Sequence, residues 1–172
     1  MILIDTPRLQ MREFTLADKE AVLDFASCEK VTRYTGDAGR VKNLDDAAMV
    51  ISDIWMAEYE RVGYGRYALI HKEDNKVIGF CGVKFDIHAN APDLGYRILP
   101  KYWGQGLATE AVISALKYAR DVLCLDKIIA EAVDENIASN KILLKLGFKK
   151  VGSDMGDGYQ VNRYESFIQN SK

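Results

Sequence analysis

The decapeptide Tyr102-Trp103-Gly104-Gln105-Gly106-Leu107-Ala108-Thr109-Glu110-Ala111 places two glycines directly before an apolar, helix-periodic segment. Gly104 and Gly106 carry no Cβ, so a ligand can approach the backbone amides closely and the loop can adopt positive φ. The first turn of the following helix adds unpaired N–H groups and the positive end of the helix dipole. The stretch therefore predicts an anion site, suited to phosphate or pyrophosphate, at a helix N-terminus.

The residues around these glycines argue against two common phosphate-binding motifs. A dinucleotide fingerprint has the spacing G-x-G-x-x-G after the first strand of a βαβ unit. Here Thr109 holds the third glycine position, and the motif lies beyond mid-chain. A P-loop ends in Gly-Lys-Ser or Gly-Lys-Thr, whereas neither lysine nor a hydroxyl residue directly follows Gly106. Dinucleotide binding and nucleotide hydrolysis are therefore not expected.

The rest of the chain predicts a mixed α/β sheet. Runs rich in β-branched and aromatic residues predict strands over residues 3–14, 67–71, 76–85, 93–99, 127–133, 148–151 and 158–168. Apolar residues three or four apart predict helices from residue 16 and over residues 45–61, 104–121 and 137–146. Residues 28–42 contain Gly36 and Gly39, and we expect them to form a mobile connection between the first two helices.

The composition is that of an ordinary globular protein. The 172 residues are 48% hydrophobic and 28% charged, so we expect one domain over residues 1–172 with a substantial core. The net charge of −2 and the lack of a dense basic block argue against nucleic acid as a partner. No apolar run is long enough to span a bilayer, and Asp5, Arg8 and Arg12 interrupt any signal-like start. We expect a cytoplasmic protein without a membrane partner.

The cysteines and histidines predict neither a disulfide framework nor a metal site. Cys28, Cys81 and Cys124 are odd in number, widely separated and without a C-x-x-C spacing. His71 and His88 have no neighbouring ligand residues at helical spacing. We therefore expect reduced thiols and no bound metal. None of the cysteines has the local histidine that is typical of a covalent nucleophile.

The phrase Gly-Tyr-Arg-Ile-Leu-Pro-Lys-Tyr-Trp-Gly-Gln-Gly-Leu-Ala-Thr-Glu-Ala, residues 95–111, closely resembles the acetyl-CoA site of the GNAT superfamily of N-acetyltransferases. Residues 6–12, 136–141 and 145–148 also resemble that superfamily, and the whole looks most like its ribosomal-protein N-terminal acetyltransferase branch, the RimJ/RimL-like enzymes. Trp103 departs from the general pattern, which starts with Gln or Arg, but tryptophan is familiar in this branch. The resemblance implies an α+β GNAT fold, with about six to seven strands flanked by about four helices.

The resemblance also implies the residues that bind acetyl-CoA, the acetyl donor. The amides of Ile98 and Leu99 would meet the pantetheine arm, and Asn136 would contact the cofactor arm. The pyrophosphate would be surrounded by Gly104, Gln105, Gly106, Leu107, Ala108 and Thr109. Ser139 corresponds to a hydroxyl near the sulfur. Asn136 and Ser139 could instead simply cap the short helix that begins at Ile137.

Acetyl transfer to an amine needs a proton acceptor and a group that protonates the departing thiolate. Asp93 holds the carboxylate position of the family's acidic-x-Gly-Tyr sequence, usually Glu, so the shorter side chain favours proton transfer through a water. Leu143 stands where many GNAT enzymes carry the tyrosine that protonates the thiolate. Ser139, or water held by it, becomes the substitute, with Tyr96 and Tyr164 as fallback hydroxyls. We expect direct transfer, which depends on holding two substrates together.

The acceptor stays open at this level because a fold and a cofactor site do not define it. Arg33 and Tyr34 lie in a region that commonly shapes the acceptor pocket of GNAT proteins, so they are candidate substrate-binding residues. The amine could belong to a protein N-terminus or to a small molecule such as a polyamine, amino acid or antibiotic. A regulatory module that binds acetyl-CoA without catalysis is a third alternative, given Leu143 and the short Asp93. The oligomeric state, monomer or homodimer, is equally open.

Overall fold

A computed structural model describes residues 1–168, and the strands in that range form one mixed sheet. In chain order the strands are β1 (Ile4–Asp5), β2 (Leu9–Arg12), β3 (Arg66–His71), β4 (Lys76–Asp86), β5 (Ala91–Ile98), β6 (Lys127–Val133), β7 (Lys149–Gly156) and β8 (Tyr159–Phe167). They are arranged as β1-β2-β3-β4-β5-β6-β8-β7, and β5 with β6 is the parallel pair. The predicted fold class is confirmed, with eight strands rather than six or seven.

The helices lie on both faces of this sheet. They are α1 (Lys19–Ala26), α2 (Glu29–Thr32), α3 (Leu44–Met49), α4 (Ala57–Val62), α5 (Leu107–Asp121) and α6 (Ile137–Lys145). A π-helical segment, Val50–Met56, joins α3 to α4, so residues 44–62 form one continuous helical rod. Within residues 1–168, no helix has the length and apolar character needed to cross a bilayer.

Four predicted segments differ from the observed elements. The predicted strand 3–14 is two strands, with Ile4 paired to Met11, because the chain reverses between β1 and β2. The helix predicted from residue 104 begins at Leu107, since Gly104 and Gly106 have φ of 73° and 76° and left-handed residues cannot continue an α-helix. The connection at residues 28–42 contains the short helix α2, and the strand predicted to end at residue 151 extends to Gly156.

Two apolar clusters fill the space between the sheet and the helices. On one face, α5 buries Leu107, Val112 and three alanines, Ala111, Ala115 and Ala119, whose small side chains permit close packing on the sheet. On the other face, Phe14 stacks on Trp55 with ring centroids 4.2 Å apart. Burial of these side chains stabilises the sheet from both sides.

β5 and β6 pair over a short distance and then diverge. Their register contains only Asp93 with Ile129 and Leu94 with Ala130, although both strands continue well beyond these pairs. α5 connects the end of β5 to the start of β6. The divergence therefore opens a gap at the carboxyl ends of two parallel strands, beside the loop that precedes α5.

Candidate active site

The gap between β5 and β6 exposes backbone groups that would be paired in an intact sheet. The amide of Leu99 donates to the carbonyl of Ile78, 2.9 Å away in β4. Backbone groups of successive residues in a strand point to opposite edges, so the peptide groups of Tyr96 and Ile98 face the gap. A ligand in extended conformation could pair with the backbone groups of Tyr96 and with the amide of Ile98, whose carbonyl already accepts from Trp103 Nε1. The amide of Leu99, which was predicted to pair with the ligand, is already bonded within the sheet.

A cleft of about 1280 Å³ runs through this gap. Of the nine residues predicted to bind cofactor, seven line it: Ile98, Gly104, Gly106, Leu107, Ala108, Thr109 and Asn136. Leu99 and Gln105 do not line it; the side-chain amide of Gln105 instead donates to the carbonyl of Lys101 at 3.3 Å. The predicted catalytic pair, Asp93 and Ser139, and the predicted substrate contacts, Arg33 and Tyr34, are all on the cleft wall.

The glycine loop is held in place from outside the cleft. Arg8 Nη1 donates to the carbonyl of Gln105 at 2.8 Å, and its Nε contacts Glu110 Oε1 at 2.9 Å. Glu110 also accepts from Thr6 Oγ1 at 2.8 Å. On the inner side, Trp103 Nε1 donates to the carbonyl of Ile98 at 2.7 Å. These contacts leave the amides at the start of α5 as the loop's polar surface toward the cleft.

Asn136 caps α6, and both Asn136 and Ser139 line the cleft. The side-chain oxygen of Asn136 accepts from the Ser139 amide at 3.3 Å, which is the N-cap arrangement. Ser139 Oγ lies 2.8 Å from the hydroxyl of Tyr96. Tyr164, the other fallback hydroxyl, is buried and bonded to Asn140 Oδ1 at 2.5 Å, and it does not line the cleft. The structure thus brings Tyr96, and not Tyr164, next to Ser139.

Asp93 lies at the narrow end of the gap, where β5 and β6 still pair. Its Oδ2 accepts from Arg66 Nη2 at 3.0 Å, and both side chains are mostly buried. Burial raises the pKa of the Asp93 carboxyl above its ordinary value, and the Arg66 charge opposes that rise. Sequence reasoning missed Arg66, which lies 27 positions from Asp93 along the chain.

Comparison with known proteins identifies the family that carries this arrangement. A family model for the acetyltransferase (GNAT) domain matches residues 8–149. The uncharacterized N-acetyltransferase YoaA of Bacillus subtilis is 32% identical over 157 residues, covering 87% of this chain and 84% of YoaA. The chain belongs to the GNAT acetyltransferases.

Two solved GNAT structures have the same fold. The ribosomal L7/L12 α-N-protein acetyltransferase RimL, in complex with coenzyme A, superposes with a TM-score of 0.81 at 19% identity, covering 98% of both chains. The spermidine N-acetyltransferase of Vibrio cholerae, in complex with CoA and spermine, has a TM-score of 0.78 at 16% identity, covering 95% of this chain and 97% of its own. At these identities the likeness shows a common fold and leaves the acceptor undecided.

In this GNAT domain, the segment that follows α2 contacts both β8 and β5 along the cleft wall. The edge of the Tyr34 ring packs on Tyr159 of β8 with centroids 5.6 Å apart, and the Arg33 guanidinium lies 5.0 Å from the Tyr34 centroid. Asp37 accepts from Arg97 of β5 at 2.8 Å, which ties the loop after α2 to the sheet. Residues far apart in the chain therefore form one wall.

The thiols of this GNAT domain take no part in the cleft. Cys81 is fully buried, and burial raises the pKa of its thiol to about 12, so it remains protonated at neutral pH. Cys28 is partly buried, Cys124 is exposed, and none of the three lines the cleft. Among residues 1–168, no group of three or more His, Cys, Asp or Glu side chains is arranged to hold a metal ion.

Proposed function

We propose that this protein transfers the acetyl group of acetyl-CoA to a primary amine by direct attack in a ternary complex, within a single domain spanning residues 1–172. The observation that carries the proposal is the single cleft that joins the glycine loop, the β5–β6 gap and Asp93. A pyrophosphate at the loop and a pantetheine arm in the gap would place a thioester inside the cleft.

The cofactor would be held mainly by backbone groups. The amides at the N-terminus of α5 face the cleft with the positive end of a 15-residue helix behind them, which favours a pyrophosphate. The gap-facing peptide groups of Tyr96 and Ile98 could pair with the amides of a pantetheine arm as a neighbouring strand would. RimL was solved with coenzyme A, which supports the same use of the fold here.

In the transfer step, the neutral amine attacks the thioester carbonyl carbon, forming a C–N bond and a tetrahedral intermediate. Asp93 accepts the proton that the amine nitrogen loses, directly or through a water. Collapse of the intermediate breaks the C–S bond, and the departing thiolate takes a proton from the Ser139–Tyr96 hydroxyl pair, which regains it from solvent. The products are an acetylated amine and free coenzyme A, so no covalent enzyme intermediate is needed.

For the acceptor, we propose a protein N-terminal α-amine, as in the ribosomal-protein branch. Five of the cleft-lining cations make no salt bridge within the described chain: Lys30, Arg33, Lys84, Lys141 and Lys145. Among the acids the same holds for Glu131 and Asp157. A polyamine carries several positive charges, and this mixed lining offers it little net attraction. An α-amine carries a single positive charge and has an ordinary pKa of about 8. At pH 7 a larger fraction of α-amine molecules is therefore neutral than of lysine-like amines.

The test compares acetyl transfer with cofactor binding in the same preparation. Coenzyme A release would be measured with peptides bearing free N-termini, N-blocked versions of the same peptides, spermidine and free amino acids, alongside calorimetric titration with acetyl-CoA. Transfer to the free but not the blocked peptides supports the proposal. Transfer only to small amines would show that the acceptor is a small molecule and not a protein N-terminus. Tight binding without transfer to any amine would indicate the regulatory module, and absence of binding would refute the proposed function.

A further inference from the structure

Arg66 is a buried arginine that crosses the sheet surface beneath the cleft. It belongs to β3, yet its guanidinium reaches over β4 to β5. Nη1 donates to the carbonyl of Gly82 at 2.5 Å and to the carbonyl of Asp93 at 2.7 Å, while Nη2 donates to Asp93 Oδ2 at 3.0 Å. One side chain therefore holds both the backbone and the carboxylate of Asp93.

The sheet leaves a space for this guanidinium by omitting a side chain. A Cβ placed on Gly95 would lie 2.5 Å from Arg66 Nη2 and 2.6 Å from its Cζ, which is too close for any side chain unless the arginine moves. On another side, the guanidinium lies 5.7 Å from the centroid of the Phe80 ring. The glycine of the Asp93-Leu94-Gly95-Tyr96 stretch thus has a structural reason, because it lets Arg66 reach Asp93.

The ion pair with Arg66 engages one oxygen of the Asp93 carboxylate and leaves the other oxygen without a partner in the described part of the chain. Asp93 Oδ2 is bonded to Arg66, whereas Oδ1 has no hydrogen-bond partner and is not among the fully enclosed polar atoms of residues 1–168. Burial on its own favours the neutral carboxylic acid, which cannot accept a proton as a base must. The Arg66 cation beside Oδ2 favours the carboxylate, as does Lys84 of β4, whereas the charges of Asp86 on β4 and Glu131 on β6 oppose it. Asp93 itself lines the cleft.

We propose that Arg66 is a positioning residue for acetyl transfer, which keeps Asp93 ionised in its buried site and leaves Oδ1 free to receive the proton of the acceptor amine. This inference rests on the proposed function, in which Asp93 is the proton acceptor. Arg66 neither gives nor takes a proton in this step. The proton moves from the amine nitrogen to Oδ1, directly or through a water, and then to solvent after the product leaves.

The test compares Arg66→Met with a matched control, Arg12→Met. Arg12 also holds a carboxylate through two bonds, to Asp18 at 2.8 and 2.9 Å, but neither residue lines the cleft. The dependence of kcat/KM on pH would be measured between about pH 4.5 and 9, and the carboxyl carbon of Asp93 would be titrated by NMR, assigned through Asp93→Asn. Removing a cation next to a carboxylate shifts its pKa by about 1 to 3 units.

We expect Arg66→Met to move both the acid limb of kcat/KM and the Asp93 titration to higher pH by about 1 to 3 units. Acetyl-CoA affinity should stay within about threefold, and Arg12→Met should move neither titration. If Arg66→Met does not fold, Arg66→Lys is used. Lysine keeps the positive charge but cannot hold both the carbonyl and the carboxylate of Asp93, so we expect a lower kcat/KM with a smaller shift of the Asp93 titration. A folded variant at position 66 with wild-type titration, acid limb and kcat/KM overturns the inference while the proposed function stands. A wild-type protein that transfers no acetyl group overturns both.

Discussion

Tyr96 and Ser139 meet across the gap, with their hydroxyl oxygens 2.8 Å apart. Tyr96 belongs to β5 and Ser139 to α6, so this bond joins the two sides of the cleft. Burial raises the pKa of Tyr96, and its bond to Ser139 opposes that rise. The phenol therefore stays protonated at neutral pH and has a proton to give, which the leucine at position 143 does not.

Removing either hydroxyl should slow acetyl transfer without weakening cofactor binding. We expect Tyr96→Phe and Ser139→Ala each to lower kcat by about 10- to 100-fold, at or below the lower end of the contribution of a single acid–base group, because the remaining hydroxyl can still supply a proton. Because the two hydroxyls act as one unit, the double variant should lose little more than the worse single variant. Steady-state kinetics measure this, and full additivity of the two losses would show that the hydroxyls act separately.

Asn136 should affect binding and helix stability together. Its side chain caps α6 and lines the cleft, so Asn136→Ala should raise the KM for acetyl-CoA and cost about 1 kcal/mol of unfolding free energy. Asn136→Asp keeps a capping acceptor but changes the group offered to the cofactor. We expect Asn136→Asp to restore the unfolding free energy while the KM for acetyl-CoA stays raised. If the KM also returned to the wild-type value, Asn136 would act only as a helix cap.

A carboxylate at Gly106 should abolish acetyl-CoA binding. Gly106→Glu adds bulk and negative charge at the start of α5, where the proposed pyrophosphate lies. Because Gly106 has φ of 76°, any side chain there is strained, so Gly106→Ala is the control and should cost about 1 to 2 kcal/mol of stability. Calorimetric titration of both folded variants decides the matter. Unchanged affinity in Gly106→Glu would place the cofactor elsewhere.

Asp93→Asn should slow transfer, and the loss should be greatest at low pH. The amide keeps the shape of the carboxylate but cannot accept the amine proton, so kcat/KM should fall by about 10²- to 10⁴-fold near neutral pH. As pH rises, more of the acceptor is already neutral, and the ratio to wild type should narrow. Acetyl-CoA binding should not change. A wild-type pH profile in the folded variant would move the search for the base to Tyr96 or solvent.

Glu110 should stabilise the glycine loop in a pH-dependent way. Burial alone would raise the pKa of its carboxyl, but hydrogen bonds from Thr6 and Arg8 outweigh it, and the net shift is downward from 4.5. A carboxyl whose pKa is lowered by folding stabilises the protein above its unfolded pKa, and this contribution is lost as pH falls through the folded value.

Glu110→Gln should therefore lower the unfolding free energy by about 1 kcal/mol at pH 7, with a smaller difference near pH 3, and raise the KM for acetyl-CoA. Urea unfolding at the two pH values measures the first effect. Asp121→Asn is the control, since Asp121 lies on the same helix in solvent-screened pairs with Lys117 and Arg120, and it should change stability less. Equal effects of the two substitutions would show that the Arg8–Glu110 contact does not hold the loop.

Local patterns predicted the elements well and their ends less well. The hairpin of β3 and β4, the strand before the glycine loop and the helix after it were all predicted close to their observed positions. The chain reversal between β1 and β2 was missed, because Pro7, which lies in the turn, is also tolerated in an edge strand. The start of α5 was misplaced because helical periodicity carries no information about the positive φ of Gly104 and Gly106.

By itself the sequence determined the class of the fold, and it predicted an anion ligand at the glycine loop. Two glycines before an amphipathic helix are local features, and the exposed amides and helix dipole that they create depend only on neighbouring residues. The same is true of Asn136 as a cap, since a cap acts within three residues of its own position.

Only the tertiary structure decided which side chains act together. The guanidinium of Arg66 reaches Asp93 across β4, and Tyr96 meets Ser139 across a gap that exists because β5 and β6 stop pairing after Leu94 and Ala130. Strand order and register place these groups, and they depend on how the whole sheet packs between its helices. No local pattern around Arg66 or Tyr96 encodes those distances.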